Sequence, residues 1–140
     1  MTPAPRGEDV NATVERFFAA LEAGDTDLLA TIYTPDARIW HNDASGEQGV
    51  EDNLKVLRGL HAVVSGLHYD IARRMPMDGG VVQQHVLRGT LPDGSQVAMP
   101  AAMFLYVEGG RVKRIEEYLD SGQAAPIRAA RAALSAGQAS

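Results

Sequence analysis

The sequence predicts an α+β domain in which a strongly bent, mainly antiparallel sheet wraps over N-terminal helices, with a further helix at the C-terminus. Two observations support this fold class. Between residues 80 and 120, a Leu-Pro-Asp-Gly turn and a Glu-Gly-Gly turn separate three β-rich runs, which is the pattern of an antiparallel meander. Before the meander, apolar residues recur at helical spacing, so helices are available to cover the apolar face of the sheet.

Length and charge limit the classes of function. The chain has 140 residues, and we expect one domain with a core of about residues 8–127 and flexible tails. The formal net charge is −5 and no Lys/Arg cluster offsets it, which argues against a nucleic-acid or anionic-membrane partner. The absence of cysteine excludes disulfides and thiol nucleophiles. Together with the lack of a signal-like or membrane-spanning apolar run, it favours a cytoplasmic protein.

The elements are predicted from periodicity and from turn residues. Gly24 ends the first helix, and Asp25 opens a short second one. Pro100 cannot donate to the ladder of the central strand and predicts a bulge or a kink there. Arg73 and Arg74 are interpreted as solvated charges on an edge strand. Helices are predicted at residues 9–23, from 25 to the turn at 34–36, at 47–65 and at 124–134, and strands at 37–42, 67–74, from 81, at 96–107 and at 111–120.

Trp40 and Asn42 share one face of the first predicted strand, because alternate side chains of a strand point to opposite sides. Ile39 and His41 share the other face. Trp40, which is the single tryptophan, fits two interpretations. It is either a core anchor whose indole nitrogen has a hydrogen-bond partner, or a wall of a hollow to which Asn42 also contributes.

Gln83 and His85 lie on one face of the strand that begins at residue 81, between Val81 and Leu87. If that face is interior, both polar side chains need hydrogen-bond partners or a ligand, since burying them unpaired is costly. If it faces solvent, the pair carries no functional meaning.

Several stretches together point to a known family: residues 17–27 at the end of the first helix, residues 33–37, residues 40–42 on the first strand, and the closing strand at residues 110–120. They resemble the SnoaL-like branch of the nuclear transport factor 2-like superfamily over about residues 10–127. The resemblance implies a cystatin-like cone, a pocket for a small hydrophobic substrate or ligand, and a homodimer formed through the outer sheet face. It implies no single reaction, because this superfold supports isomerases, dehydratases, cyclases, epoxide hydrolases and non-enzymes.

The resemblance also implies site residues. SnoaL-type polyketide cyclases use an aspartate at the end of the last strand as acid/base, and limonene-epoxide-hydrolase-like enzymes use one there to activate water. Both fall on Asp120. The hydrolases support it with a Tyr-x-Asn pair, which falls on Trp40 and Asn42, and with an Arg-x-Asp pair, which falls on Gln83 and His85. A protonated His85 would then donate in place of the missing carboxylic acid.

The predicted catalytic residues are therefore Asp120, His85 and Asn42, with Asp120 as base and His85 as donor. An apolar wall would hold the substrate. The predicted substrate-binding residues are Trp40, Gln83, Phe18, Met99, Met103 and Tyr118.

Three functions fit these residues. The first is an acid/base enzyme that opens an epoxide with water, or that isomerises or cyclises a carbonyl compound. The second is a non-catalytic module that binds a small ligand in the same fold, and the third is a purely structural dimerisation domain. As the alternative to a catalytic pair, Asp120 and His85 form only a buried structural hydrogen bond. The four histidines show no metal-ligand spacing, and phosphate-loop and dinucleotide motifs are absent, so no metal and no cofactor is predicted.

Overall fold

The computed structural model describes residues 7–43 and 46–139. Helices and strands are segregated along the chain as expected of the α+β class, and the predicted fold class is confirmed. Over the described residues the elements are α1 (Gly7–Ala23), α2 (Thr26–Ile32), β1 (Tyr33–His41), β2 (Glu47–Gln48), α3 (Val50–Val63), β3 (Ser65–Met77), β4 (Gly80–Thr90), β5 (Gln96–Glu108), β6 (Arg111–Leu119) and α4 (Ser121–Ala139).

The strands form a six-stranded sheet in the order β2-β1-β6-β5-β4-β3. The predicted meander is present, because β3, β4, β5 and β6 pair with their neighbours in antiparallel fashion. β1 pairs with β6 in parallel, so the sheet is mixed. This parallel pairing brings the first strand of the chain beside the last one.

The core lies between one face of the sheet and the N-terminal helices. α1 packs against β3, and α3 packs against β1. The helices contribute fully buried apolar side chains such as Val14 and Leu29, and the sheet contributes Leu105 and Val112. α4 packs against α3 and β5 and so reaches the open side of this layer. None of the helices within the described residues has the length and hydropathy needed to cross a lipid bilayer.

Several predicted boundaries shift. β1 begins directly after α2, because residues 33–36 continue the strand instead of forming a turn. Glu47 and Gln48 pair with β1 as the short strand β2, so α3 begins at Val50 and not at residue 47. α4 extends to Ala139, and residues 135–139, which were expected to fray, are helical. The predicted flexibility of residues 1–6 falls outside the described residues.

The bulge predicted at Pro100 is absent. The β4–β5 register runs without a shift through the pair Val86 and Pro100. The carbonyl of Pro100 accepts a hydrogen bond from the N–H of Asp120, so the Pro100 nitrogen also points toward the β6 side, just beyond the last β5–β6 pair, Ala101 and Leu119. A proline is tolerated there because no ladder bond requires its missing N–H.

The sheet face away from the helices carries aromatic side chains. Tyr118 is 49% exposed, and its ring packs edge-on against Trp40, with 5.1 Å between the ring centroids. Phe104 lies on the other side of Tyr118, with 6.4 Å between centroids. The homodimer expected through this face stays a prediction.

Candidate active site

One row of residues crosses five neighbouring strands and carries polar side chains. Arg74 on β3 lies opposite Gln83 on β4, and Gln83 lies opposite Met103 on β5. Met103 lies opposite Glu117 on β6, which in turn lies beside His41 on β1. Residues in one row of a sheet point to the same face. The row therefore places the Glu117 carboxyl and the His41 imidazole on the helix-covered face of the sheet.

The position of Glu117 follows from the alternation of β6. A register shift between β5 and β6 leaves Lys113 as an extra residue, so that Val112 and Ile115 are both buried. From Ile115 onward the period is two, which turns Glu117 inward and Tyr118 outward. The same local pattern that buries an isoleucine thus buries a carboxylate.

Glu117 and His41 form a close pair. Nε2 of His41 lies 3.0 Å from Oε1 of Glu117, and the two side chains are only 17% and 12% exposed. Burial by itself raises the pKa of the Glu117 carboxyl, but the hydrogen bond from His41 and the nearby imidazole charges lower it to about 2. Burial lowers the pKa of His41, but the hydrogen bond to Glu117 and the charges of Glu117 and Asp43 raise it above its usual range.

Two side chains, Arg74 and Gln83, fix the tautomer of His85. Nε of Arg74 donates to Oε1 of Gln83 at 2.8 Å, and the amide Nε2 of Gln83 lies 2.9 Å from Nδ1 of His85. Because an arginine only donates, Gln83 must present its oxygen to Arg74 and its NH₂ group to His85. Nδ1 of His85 is then an acceptor, and the ring carries its proton on Nε2.

The protonated nitrogen of His85 has no hydrogen-bond partner in the part of the chain that the structure describes. Nε2 is buried and lies 3.7 Å from Oε2 of Glu117, which is longer than a hydrogen bond. On β5, the residue opposite His85 is Ala101, whose small side chain leaves space beside the imidazole. A buried donor without an acceptor is uncommon in a folded protein and marks a position for a ligand or a water molecule.

A cavity of about 320 Å³ opens at this cluster, a volume at the lower end of the range found for small-molecule sites. Its wall is mostly apolar, and its polar groups include the Glu117 cluster and two arginines of α4. The buried Oε1 atom of Gln48, another lining residue, likewise has no partner among the described residues. The cavity is lined by His41, Asp43, Gln48, Asn53, Val56, Leu57, Leu60, Tyr69, His85, Leu87, Met99, Glu117, Leu119, Ala124, Ile127, Arg128 and Arg131.

Two buried tyrosines support the polar groups. The hydroxyl of Tyr33 donates to Oδ1 of Asn53 at 2.7 Å and thereby orients this cavity-lining amide. The Tyr69 ring packs edge-on against His85, with 5.1 Å between centroids. Burial, and secondarily the charge of Glu117, raises the pKa of both tyrosines, so they remain neutral hydroxyls at physiological pH.

The structure does not bring Asp120 together with His85. Asp120 is exposed, and its Oδ1 accepts hydrogen bonds from the N–H groups of Gly122 and Gln123 at 3.0 and 3.3 Å. It caps the N-terminus of α4, where unpaired N–H groups attract a carboxylate. Asp120 is not among the residues that line the cavity, and Glu117 occupies the inward position instead.

Trp40, Asn42 and Tyr118 also lie outside the cavity lining. The face of β1 that turns inward is that of Ile39 and His41, and not the face to which alternation assigns Trp40 and Asn42. Oδ1 of Asn42 accepts the N–H of Leu119 at 3.1 Å, and Nδ2 donates to its carbonyl at 3.3 Å. Asn42 thus extends the parallel ladder between β1 and β6, and this backbone pairing keeps its amide out of the cavity.

The remaining predicted site residues lie inside the fold. His85 and Met99 line the cavity. Gln83, Phe18 and Met103 are buried behind it: Gln83 holds His85, and the Phe18 ring lies edge-on to the His85 ring at 6.0 Å. Gln83 and Nδ1 of His85 have the hydrogen-bond partners that an interior position requires, whereas Nε2 of His85 has none among the described residues.

Sequence reasoning missed Glu117, His41 and Arg74. For Glu117 the signal was present in the alternation from Ile115, and for His41 in its shared face with Ile39. Arg74, interpreted as a solvated edge charge, has a side chain only 12% exposed. A register shift between Ile71 and Arg73 turns it inward, where it also pairs with Glu15. No local sequence pattern predicts that register shift.

The polar cluster does not form a metal site by its geometry. Within residues 7–43 and 46–139, no group of three or more His, Asp or Glu side chains is arranged to hold a metal ion. The imidazole nitrogens of His41 and His85 instead face opposite oxygens of Glu117.

The chain belongs to the SnoaL-like domain family, whose model matches residues 14–115. The match ends two residues before Glu117. No curated protein matches the chain. Solved structures with the same fold include an LEH-like epoxide hydrolase from M. tuberculosis, with a TM-score of 0.71 and 20% identity over 85% of this chain and 88% of that one.

Two further structures show the breadth of the fold. IdmH from Streptomyces antibioticus, assigned as a polyketide cyclase, has a TM-score of 0.72 and 20% identity over 85% of this chain and 97% of its own. A protein of ketosteroid isomerase-like fold from Catenulispora acidiphila has a TM-score of 0.66 and 20% identity over 76% and 83%. At these identities the likeness shows the fold alone.

Proposed function

We propose that the protein is a cofactor-independent acid/base enzyme that acts on a small hydrophobic molecule in this cavity. Glu117 is the proton acceptor, His41 its charged partner and His85 the hydrogen-bond donor. The observation that carries the proposal is the buried carboxylate between two histidines in the wall of a mostly apolar cavity. Strongly perturbed titratable groups in a cleft are typical of catalytic sites.

The geometry suits proton transfer at an oxygen atom. Oε1 of Glu117 accepts from His41, while Oε2 faces Nε2 of His85 across 3.7 Å. A water or substrate oxygen beside these two atoms can lie within about 3 Å of both Oε2 and Nε2, which is the separation that general acid/base catalysis requires. Oε2 then accepts its proton, and the N–H of His85 stabilises negative charge that develops on oxygen.

Opening of an epoxide by water fits this pair of groups. Glu117, held ionised, takes a proton from water as the water oxygen attacks one epoxide carbon and the carbon–oxygen bond breaks. Protonated His41 gives a proton to the released alkoxide, and Glu117 then returns its proton to His41, so that a diol forms and both groups are restored. Environments that move two pKa values apart separate the base from the acid in this way.

A second candidate reaction is the isomerisation or cyclisation of a carbonyl compound. The unpartnered N–H of His85 favours it, because a carbonyl oxygen there would accept this hydrogen bond and the enolate charge would be stabilised. Glu117 would then carry a proton between carbon atoms. A carboxylate with a lowered pKa is a weak base for carbon, so this reaction requires an acidic C–H bond, as in a β-dicarbonyl compound.

The test is turnover of a panel of hydrophobic epoxides and β-dicarbonyl compounds by the wild type and by Glu117→Gln. We expect the substitution to lower kcat about 100-fold or more, the usual range for a lost acid/base group. Glu116→Gln is the matched control, because Glu116 directly precedes Glu117 on β6. Its carboxylate pairs with Arg114 and does not line the cavity. It should change kcat less than about threefold.

Two results decide against the proposal. Undiminished turnover by Glu117→Gln would remove Glu117 from the mechanism. Tight binding of hydrophobic ligands without turnover of any panel member would identify the protein as the non-catalytic binding module. Melting temperatures of both variants separate loss of catalysis from loss of fold.

A further inference from the structure

The helix α4 presents to the cavity a stripe that changes from apolar to cationic. Ala124, Ile127, Arg128 and Arg131 all line the cavity, at the spacing of a single helix face. Ala124 and Ile127 are buried, Arg131 is half-buried and Arg128 is exposed. At 1.5 Å per residue the stripe is about 10 Å long. The two guanidinium groups therefore occupy its later part, beyond the apolar start that follows β6.

Neither arginine is neutralised within the described residues. Arg128 donates only to the backbone carbonyl of Ser121, at 3.2 Å, and Arg131 has no hydrogen bond or ion pair there. The acidic side chains of the cavity, Asp43 and Glu117, both act on His41, whose pKa they raise. The cavity thus holds two cations whose donors have no carboxylate acceptor.

The guanidinium of Arg131 lies close to the facing helix α3. A Cβ atom added at Gly59 of α3 would lie 2.7 Å from Nε and 2.8 Å from Nη2 of Arg131. The absence of a side chain at Gly59 is therefore what lets the guanidinium approach the α3 backbone. The half-buried guanidinium therefore lies beside the part of the cavity wall that α3 forms.

We infer that the cavity selects hydrophobic molecules that carry a carboxylate, with Arg131 and Arg128 as the anion subsite. The inference rests on the proposed function in taking the cavity as a small-molecule site. Guanidinium groups bind carboxylates through two parallel N–H···O bonds, and partial burial strengthens that interaction. Val56, Leu57 and Leu60 of α3 supply the apolar wall beside the subsite.

The test compares two probes of equal shape and different charge, 4-phenylbutanoate and 4-phenylbutanamide, by isothermal titration calorimetry at pH 7. We expect the wild type to bind the carboxylate about tenfold more tightly than the amide, as for one charge-assisted hydrogen-bonded contact. The double variant Arg128→Gln/Arg131→Gln should bind both equally. Arg58→Gln should keep the preference, because Arg58 is an exposed arginine of α3 outside the cavity lining.

Equal affinity of the two probes for the wild type would overturn the inference, as would absence of binding by both. Loss of the preference in Arg58→Gln would overturn it too, because net charge alone would then explain the effect. A preference that weakens as ionic strength rises supports the subsite. The titration requires no turnover, so a carboxylate preference in a protein that converts no substrate leaves this inference intact and overturns only the catalytic proposal.

Discussion

Oε1 of Glu117 lies 3.0 Å from Nε2 of His41, so the last strand and the first strand of the sheet share a buried ion pair. The residues are 76 positions apart in sequence, and the parallel pairing of β1 with β6 places them side by side. The pair links the stability of the fold to the proposed chemistry of the cavity, because the carboxylate that forms the ion pair is also the proposed proton acceptor. Its charge state is therefore accessible to unfolding experiments as well as to kinetics.

Glu117→Gln should change the pH dependence of stability. The pKa of Glu117 is lowered to about 2, so its stabilisation is present above the unfolded value of about 4.3 and is lost as pH falls toward 2. The pKa of His41 is raised, so its stabilisation is present below about 6.5 and is lost as pH rises through the folded value. Urea unfolding followed by Trp40 fluorescence should show the wild type more stable than the variant by about 2 kcal/mol near pH 5.5.

The difference between wild type and Glu117→Gln should shrink both as pH falls toward 2 and as pH rises through the raised pKa of His41. Glu116→Gln, which removes a carboxylate outside the cavity lining, should not reproduce that profile. A difference that does not change with pH would contradict the ion pair.

Gln83→Glu should invert the tautomer of His85. A carboxylate in place of the amide still accepts from Arg74 but offers no N–H to Nδ1 of His85. The imidazole then places its proton on Nδ1, and Nε2 loses the ability to donate into the cavity. Long-range ¹H–¹⁵N NMR spectra of the ring nitrogens report this exchange directly, and kcat should fall about tenfold or more.

A neutral control for this substitution is Gln84→Glu, since Gln84 is exposed on the opposite face of β4. Its spectra should keep the Nε2–H tautomer. Retention of that tautomer in Gln83→Glu as well would show that Gln83 does not set it.

Asp120→Ala should lower the free energy of unfolding and leave kcat nearly unchanged. Two N–H groups at the start of α4 lose their acceptor, which costs about 1 kcal/mol for a helix cap. Asp120→Asn should cost less, because asparagine also caps helices well. Chemical unfolding gives the free energies, and kcat on any substrate found should stay within about twofold for both variants. A 100-fold loss of kcat in Asp120→Asn would restore the role that family resemblance assigns to this residue.

Gly59→Ala should raise the stability of the protein and weaken its binding of the anion. Replacing glycine inside a helix favours folding by up to about 1 kcal/mol, provided that the flexible end of Arg131 shifts away from the new methyl group. The shift should lower the affinity for 4-phenylbutanoate severalfold and leave that for the amide unchanged. Thermal unfolding and calorimetry on the same preparation measure both effects, and an unchanged preference for the carboxylate would contradict the placement of Arg131.

Local sequence patterns predicted most of the elements and several side-chain relationships. Turn residues separated the meander strands, Gly24 and Asp25 marked the first helix junction, and alternation paired Gln83 with His85. These features depend on neighbours within a few residues, so a single sequence contains them.

The tertiary structure alone decided which strand faces form the site. Alternation groups His41 with Ile39, but only the packing of helices on that face makes it interior. Extra residues in β3 and β6 change which side chains point to the helix-covered face, and they turn Arg74 and Glu117 inward. Such register shifts depend on pairing with a strand that is distant in the sequence. Asp120 was a plausible base by sequence, but the first N–H groups of α4 hold it outside the cavity. The site is made of contacts between residues far apart in the chain, which no local pattern encodes.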